Sequence, residues 1–73
     1  MAKARIRNRI RALRETAGLT QSQLAKRCAC TRQTIIMLEG ERYVPSLSLA
    51  FSIAQTFGVR IEDVFEPEPS GDE

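Results

Sequence analysis

Two helix starts of the same kind, at Thr20 and Thr31, constrain the fold of this chain more than any other feature of its sequence. Gln23 follows Thr20 at the spacing of a capping box, in which hydroxyl and amide side chains each satisfy a free backbone N–H. Thr31 can cap a second helix through its hydroxyl. Because only a short turn around Ala29 fits between them, residues 19–39 predict two short helices joined by a tight turn.

The apolar residues of this stretch repeat with a helical period, and they predict which faces are buried. The inward positions are Leu24, Ala25 and Cys28 on the first helix and Ile35 and Leu38 on the second. Arg32, Gln33 and Met37 then point away from the core. Two helices across a short turn, with long polar side chains at the front of the second, are typical of a helix-turn-helix.

The chain resembles the phage-repressor-like (Xre, Cro-type) helix-turn-helix family of DNA-binding regulators. The shared pattern is Leu19-Thr20-Gln21, Leu24-Ala25, Thr31-Arg32-Gln33-Thr34-Ile35, Glu39, Pro45-Ser46-Leu47, Ile53-Ala54, Phe57-Gly58-Val59 and Phe65. The resemblance implies an all-α fold, a five-helix phage-repressor-like DNA-binding domain with a helix-turn-helix. We expect that domain at residues 1–66 and a disordered acidic tail at residues 67–73.

Composition excludes several classes of function. The chain has 73 residues, enough for one domain, and no His, the commonest general base and metal ligand. We therefore expect no enzyme, no catalytic residue, no metal and no cofactor, and no small-molecule ligand is evident. No apolar run approaches the ~18 residues of a membrane span, and the first residues lack the apolar region of a signal peptide. A cytoplasmic protein without membrane contact is the expectation.

Charge is separated along the chain. Residues 1–14 carry six Lys or Arg and no acid, whereas residues 62–73 carry six Asp or Glu and no base. A basic front and an acidic back suit a protein that presents one face to a polyanion.

Outside the central motif, three more helices are predicted. An apolar stripe places the first from Arg5 to Thr16, ending at Gly18. Ser46 caps the fourth, and Gly58 ends it. Its core stripe is Leu47, Ala50, Ile53, Ala54 and Phe57. A last short helix is expected from Ile61 to Phe65.

The recognition helix, residues 31–39, is expected in the major groove of double-stranded DNA. Arg32 can donate two hydrogen bonds to guanine, Gln33 can bond adenine, and Met37 suits a thymine methyl group. The full set of expected DNA contacts is Gln21, Thr31, Arg32, Gln33, Thr34, Met37, Arg42 and Tyr43. The resemblance further implies that Arg14 pairs with Glu39.

Two positions depart from the family pattern. Ala29 stands where the family often has Gly or Asn because the backbone passes through positive φ. Either the turn differs here or the domain bears the strain. The family's order of Glu, any residue, Gly is replaced by Glu39-Gly40-Glu41, so Gly40 is expected to end the recognition helix one residue early.

We interpret the chain as a homodimeric, sequence-specific transcriptional regulator, and a repressor in particular, on a near-palindromic operator. The expected dimer interface consists of apolar residues in the C-terminal third, namely Leu49, Phe51, Ile61, Val64 and Phe65. The alternatives are an antitoxin that represses its own operon and a protein-interaction module that kept the fold. Cys28 and Cys30 are read as packing residues, with redox or metal sensing as the alternative.

Overall fold

The structure, a computed structural model, describes residues 6–68. Five helices confirm the predicted fold class, and two short strands accompany them. In chain order the elements are β1 (Ile6–Asn8), α1 (Ile10–Thr16), α2 (Gln21–Arg27), α3 (Arg32–Glu39), α4 (Leu47–Phe57), α5 (Ile61–Val64) and β2 (Phe65–Pro67). Lys3, Arg5 and residues 69–73 of the expected acidic tail lie outside the described residues.

The two strands correct the predicted ends of the first and last helices. Residues 6–8 are not helical but pair antiparallel with β2, and Asn8 lies opposite Phe65. Asn8 Oδ1 accepts a hydrogen bond from the Ile10 N–H at 3.1 Å, a local bond that competes with helix formation before Ile10. Phe65, expected to end the last helix, begins β2, which runs to Pro67, one residue past the predicted domain boundary.

The core confirms the predicted inward faces of α2 and α3. Its fully buried side chains include those of Ile10, Leu24, Ile35, Leu38, Ile53 and Val64. Leu47 was wrongly assigned to the core stripe of α4, since it is 69% exposed. It is the first residue of α4 and projects beyond the core, which the helix reaches at Ala50.

Helices α1 to α4 all end in a Schellman motif, in which a left-handed residue and its successor donate backbone N–H groups to the last turn. In α1 and α4 the left-handed residue is glycine, Gly18 at φ 74° and Gly58 at φ 69°. In α2 and α3 it is Ala29 at φ 56° and Glu41 at φ 59°. The two helices of the central motif thus end without the glycine that their geometry favours.

Ala29 resolves one of the alternatives left open by the sequence, since the turn keeps the left-handed geometry and the domain bears the strain. The Ala29 N–H bonds the Lys26 carbonyl at 3.3 Å, and the Cys30 N–H bonds the Ala25 carbonyl at 3.0 Å. After Glu39, the turn is closed by Glu41 and not by the neighbouring Gly40, whose φ is −82°.

Replacing Ala29 by Gly should stabilise the domain. The left-handed strain of about 1–2 kcal/mol is relieved, against a loss of about 0.5–1 kcal/mol from the greater freedom of Gly in the unfolded chain. We expect a net gain of about 0.5–1 kcal/mol, measured by urea denaturation. As a control, Ala12→Gly within α1 should destabilise by about 1 kcal/mol. A lower free energy of unfolding for Ala29→Gly would contradict the assigned strain.

Candidate nucleic-acid interface

The start of α3 is fixed by a side-chain cap. Thr31 Oγ1 accepts a hydrogen bond from the Thr34 N–H at 3.1 Å and lies 2.9 Å from Thr34 Oγ1. At the start of α2, Thr20 Oγ1 accepts from the Gln23 N–H and Gln23 Oε1 accepts from the Thr20 N–H. Both predicted caps are confirmed, so the beginning of each helix of the motif is set locally.

The first two residues of α3 present free polar side chains to solvent. Arg32 and Gln33 are both exposed, and neither has a side-chain partner among residues 6–68. Met37 and Ile36 are half-buried farther along the helix. The side-chain hydroxyls of Thr31 and Thr34 are joined to each other. The strongest hydrogen-bonding groups on this surface are therefore unoccupied and accessible.

The end of α3 is held by an ion pair with α1. Arg14 Nε lies 2.6 Å from Glu39 Oε2, and Arg14 Nη2 lies 3.3 Å from Glu39 Oε1. Only 12% of the Arg14 side chain and 8% of the Glu39 side chain are exposed. Arg14 Nη1 also donates to the Leu19 carbonyl at 2.9 Å. This arrangement is bidentate, and it is shielded from the solvent that weakens surface ion pairs.

Gln21, the first residue of α2, joins the same pair. Its Nε2 donates to Glu39 Oε1 at 3.1 Å. The hydrogen bond to Glu39, reinforced by the charges of Glu39 and Glu15, raises the pKa of Arg14 above its ordinary value despite the opposing effect of burial. Glu39 therefore receives hydrogen bonds from α1 and α2, which fixes where α3 ends relative to both.

Asn8 is a positioning residue that sequence reasoning missed. Its Nδ2 donates at 2.7 Å to the Leu38 carbonyl in the last turn of α3, which also accepts the Glu41 N–H. Its backbone N–H donates to Glu41 Oε2 at 3.2 Å. Because the pattern placed Asn8 inside a helix, no local signal indicated that it would contact residues about thirty positions away.

The other expected DNA contacts lie around this framework. Arg42 and Tyr43 are exposed in the loop that follows α3, and Arg42 has no ionic partner within residues 6–68. A shallow cleft at the start of α2 is lined by Gln21 and Thr20 together with Arg11 of α1. Among the described residues Arg11 pairs only with Glu15 on its own helix, and both side chains are exposed.

The residues expected at the dimer interface do not form one exposed surface. Val64 is fully buried in the chain's own core, so it cannot contact a second copy in this conformation. Leu49, Ile61 and Phe65 pack against the core and are half-buried, whereas Phe51 is 48% exposed. Within residues 6–68 the exposed large apolar side chains are Tyr43, Val44, Leu47 and Phe51.

The two thiols lie in surroundings that suppress thiol chemistry. Cys28 is buried and Cys30 is half-buried, and both are free. Burial raises the pKa of each thiol, and for Cys28 this outweighs the opposing contact with Thr56 at 3.7 Å. A thiol with a raised pKa is less ionised at neutral pH and so less reactive. This favours the packing interpretation of both residues.

Within residues 6–68, no group of side chains is suited to hold a metal ion, and none of the helices is long and apolar enough to cross a membrane.

Known proteins share the sequence pattern and the fold of this chain. A sequence model described as helix-turn-helix matches residues 10–64. An uncharacterised transcriptional regulator of the helix-turn-helix type from Methanocaldococcus jannaschii is 50% identical over 60 residues, which cover 82% of this chain and 91% of that protein. The immunity repressor of Bacillus phage phi105 is 35% identical over 60 residues, which cover 82% of this chain and 42% of the repressor. The fold is similar to that of a candidate DNA-binding protein from Bacteroides fragilis, with a TM-score of 0.75, 21% identity and coverage of 84% and 98% of the two chains.

Removing either partner of the Arg14–Glu39 pair should destabilise the domain more than removing any other charge. Arg14→Met or Glu39→Gln strands a largely buried polar group, at an expected cost of about 3 kcal/mol each. Thermal and urea denaturation measure this cost. The double variant should lose clearly less than the sum of the single losses.

The exposed pair of Arg11 and Glu15 provides the matched control, with an expected coupling of about 0.3–0.5 kcal/mol. A coupling between Arg14 and Glu39 no larger than this would show that their contact does not hold α3.

Proposed function

The chain belongs to the phage-repressor-like helix-turn-helix family of DNA-binding transcriptional regulators, and from this premise we propose that it is a sequence-specific repressor whose α3 reads the major groove. Its partner is double-stranded DNA, and it is not an enzyme. One observation carries the proposal. Arg32 and Gln33 stand exposed, and without a side-chain partner within residues 6–68, at the front of a helix whose two ends are fixed by hydrogen bonds.

Base readout is assigned to the first turns of α3. The planar guanidinium of Arg32 matches the O6 and N7 acceptors of guanine, and the amide of Gln33 matches N6 and N7 of adenine. Met37 offers an apolar surface to a thymine methyl group. Fixed helix ends favour this role because side chains on a rigid element reach base edges with a defined register.

Phosphate contacts are assigned to the rim of the same surface. Arg42 and Tyr43 supply a charge and a hydroxyl directly after α3, and Gln21 lies in the cleft at the start of α2. Thr31 and Thr34 contribute hydroxyl groups at the start of α3. Such contacts set the position of a protein on DNA without reading sequence.

One relative supports a role in repression. The phage phi105 relative is named an immunity repressor, although the match covers less than half of its length. A protein-interaction module would not need an exposed cationic side chain beside an exposed amide at the start of α3. The exposure of Arg32 and Gln33 therefore favours DNA binding over that alternative.

A homodimer is proposed because one module buries only about 600–1,000 Å² of protein surface on DNA, which is small for a specific site. The surface that we assign to the second copy is the α4 apolar face, defined as Leu47 and Phe51 of α4 together with Val44 of the loop that precedes it. Their exposed fractions are 69%, 48% and 58%. Leu47 and Phe51 are four residues apart and so lie on one side of α4. A two-fold contact there would pair the same face from each copy on a near-palindromic operator, with half-sites about 34 Å apart.

Changing the readout residues should relax base preference. Arg32→Ala and Gln33→Ala should each cost about 1–3 kcal/mol on the selected site and remove the preference for one base pair in each half-site. Fluorescence anisotropy with sites selected from a random DNA pool measures both effects. Thr16→Ala, at the exposed end of α1 and outside both proposed surfaces, is the control and should leave both unchanged. If Gln33→Ala keeps the parent consensus and affinity, α3 is not the reading element.

Placing a charge on the α4 apolar face should separate the dimer. Phe51→Glu should shift sedimentation toward the monomer and weaken operator binding. The helical circular-dichroism signal should persist because Phe51 is half exposed. Ala12→Glu adds the same charge to the exposed side of α1, outside this face, and should leave the dimer intact. Sedimentation of the parent protein as a monomer at high micromolar concentration would refute this interface.

A further inference from the structure

Glu41 is an unfavourable residue at the position it occupies. Its φ of 59° is the left-handed conformation that Gly18 and Gly58 supply at the ends of α1 and α4. The Glu41 N–H bonds the Leu38 carbonyl at 3.0 Å, and the Arg42 N–H bonds the Met37 carbonyl at 3.0 Å, so this residue closes the last turn of α3. A side chain with a Cβ is strained in that conformation.

The charge of Glu41 adds a second unfavourable effect. A carboxylate beside the C-terminus of a helix is repelled by the partial negative charge of the free carbonyls. No cationic side chain of residues 6–68 lies within ion-pair distance of Glu41. Unfavourable free energies of this kind, here from backbone strain and from charge repulsion, persist at positions where the surrounding structure or the function requires them.

One hydrogen bond holds the carboxylate near the end of α3. Its Oε2 accepts the hydrogen bond from the Asn8 backbone N–H, and the Asn8 side chain is itself bonded to the Leu38 carbonyl. Strand β1 therefore holds a negative charge at the exit of α3. The next two residues along the chain are Arg42 and Tyr43, to which phosphate contacts are assigned above.

We propose that Glu41 limits the affinity of the DNA-binding surface. Its carboxylate repels the phosphates that Arg42 and Tyr43 approach. The repulsion does not depend on base sequence, because the phosphate groups are the same at every base pair. The residue thereby weakens operator and random DNA by the same factor and shortens the time spent on random DNA. This inference rests on the proposed function, because it requires that the loop after α3 meets DNA.

Glu41→Gln separates the charge from the geometry. The amide oxygen can still accept the Asn8 N–H, and the left-handed strain remains, so only the charge is lost. We expect binding to a random-sequence duplex to tighten about 3- to 10-fold near 0.05 M salt, because like charges within a screening length no longer repel. The gain should shrink to less than about twofold near 0.3 M salt, where the screening length is much shorter. The same factors should apply to a selected operator.

Glu62→Gln is the matched control, since Glu62 is an exposed acid on α5, which packs against α4 and β2. It removes the same charge and should change affinity by less than twofold at either salt concentration. Glu41→Gly removes the charge and the strain together. It should tighten binding as Glu41→Gln does, and it should have a higher melting temperature than Glu41→Gln, because it relieves the backbone strain as well as the repulsion between the charge and the helix end.

Each outcome decides the question. A parent protein that binds duplex DNA while Glu41→Gln behaves like the parent or like Glu62→Gln would overturn the role of Glu41 and leave the proposed function standing. Tightening that persists undiminished at high salt would overturn the electrostatic cause. If neither the parent nor Glu41→Gln binds any duplex in a salt-dependent manner, the proposed function is wrong, and this inference fails with it.

Discussion

The buried contact between Arg14 and Glu39 is the interaction on which the placement of the recognition helix depends. A chain of this length has a thin core, and apolar packing alone leaves the angle between short helices loosely set. A bidentate ion pair has a direction, which apolar contacts lack. By receiving hydrogen bonds from Arg14 of α1 and Gln21 of α2, Glu39 fixes the end of α3 against both neighbours. The orientation of α3 in turn sets the positions of the exposed side chains at its other end.

The sequence predicted those parts of the fold that are decided within a few residues. The caps at Thr20 and Thr31 depend on atoms three positions apart, and the buried faces of α2 and α3 depend on helical spacing. The caps and the buried faces can therefore both be recognised from the local sequence. The partner of Arg14 lies 25 positions away, and it was available only through resemblance to a family.

The parts that could not be predicted depend on contacts between distant segments. Ile6 and Ile10 have the spacing of a helix, yet residues 6–8 become a strand because β2 reaches them from the other end of the chain. The same pairing draws Phe65 out of the last helix and leaves Val64 in the core, which removes it from the surface expected to meet a second copy. The candidate site shows the same division. The exposure of Arg32 and Gln33 followed from helical spacing, whereas no pattern foretold the contacts of Asn8 with Leu38 and Glu41.

The pairing of β1 with β2 also bears on the order in which the chain folds. Just beyond β1, Arg9 bonds Glu66 of β2, 57 positions away, so bringing these segments together closes a longer loop, at a greater loop-closure entropy, than any contact between near neighbours. Helices and the α2–α3 turn can assemble from near neighbours, while contacts of such long range form late. Since Asn8 of β1 also binds the end of α3, that end acquires its last hydrogen bonds only when β1 has paired with β2. Opening of the strand pair in the folded protein would release the same bonds first, so the exit of the recognition helix is a natural place for local unfolding to begin.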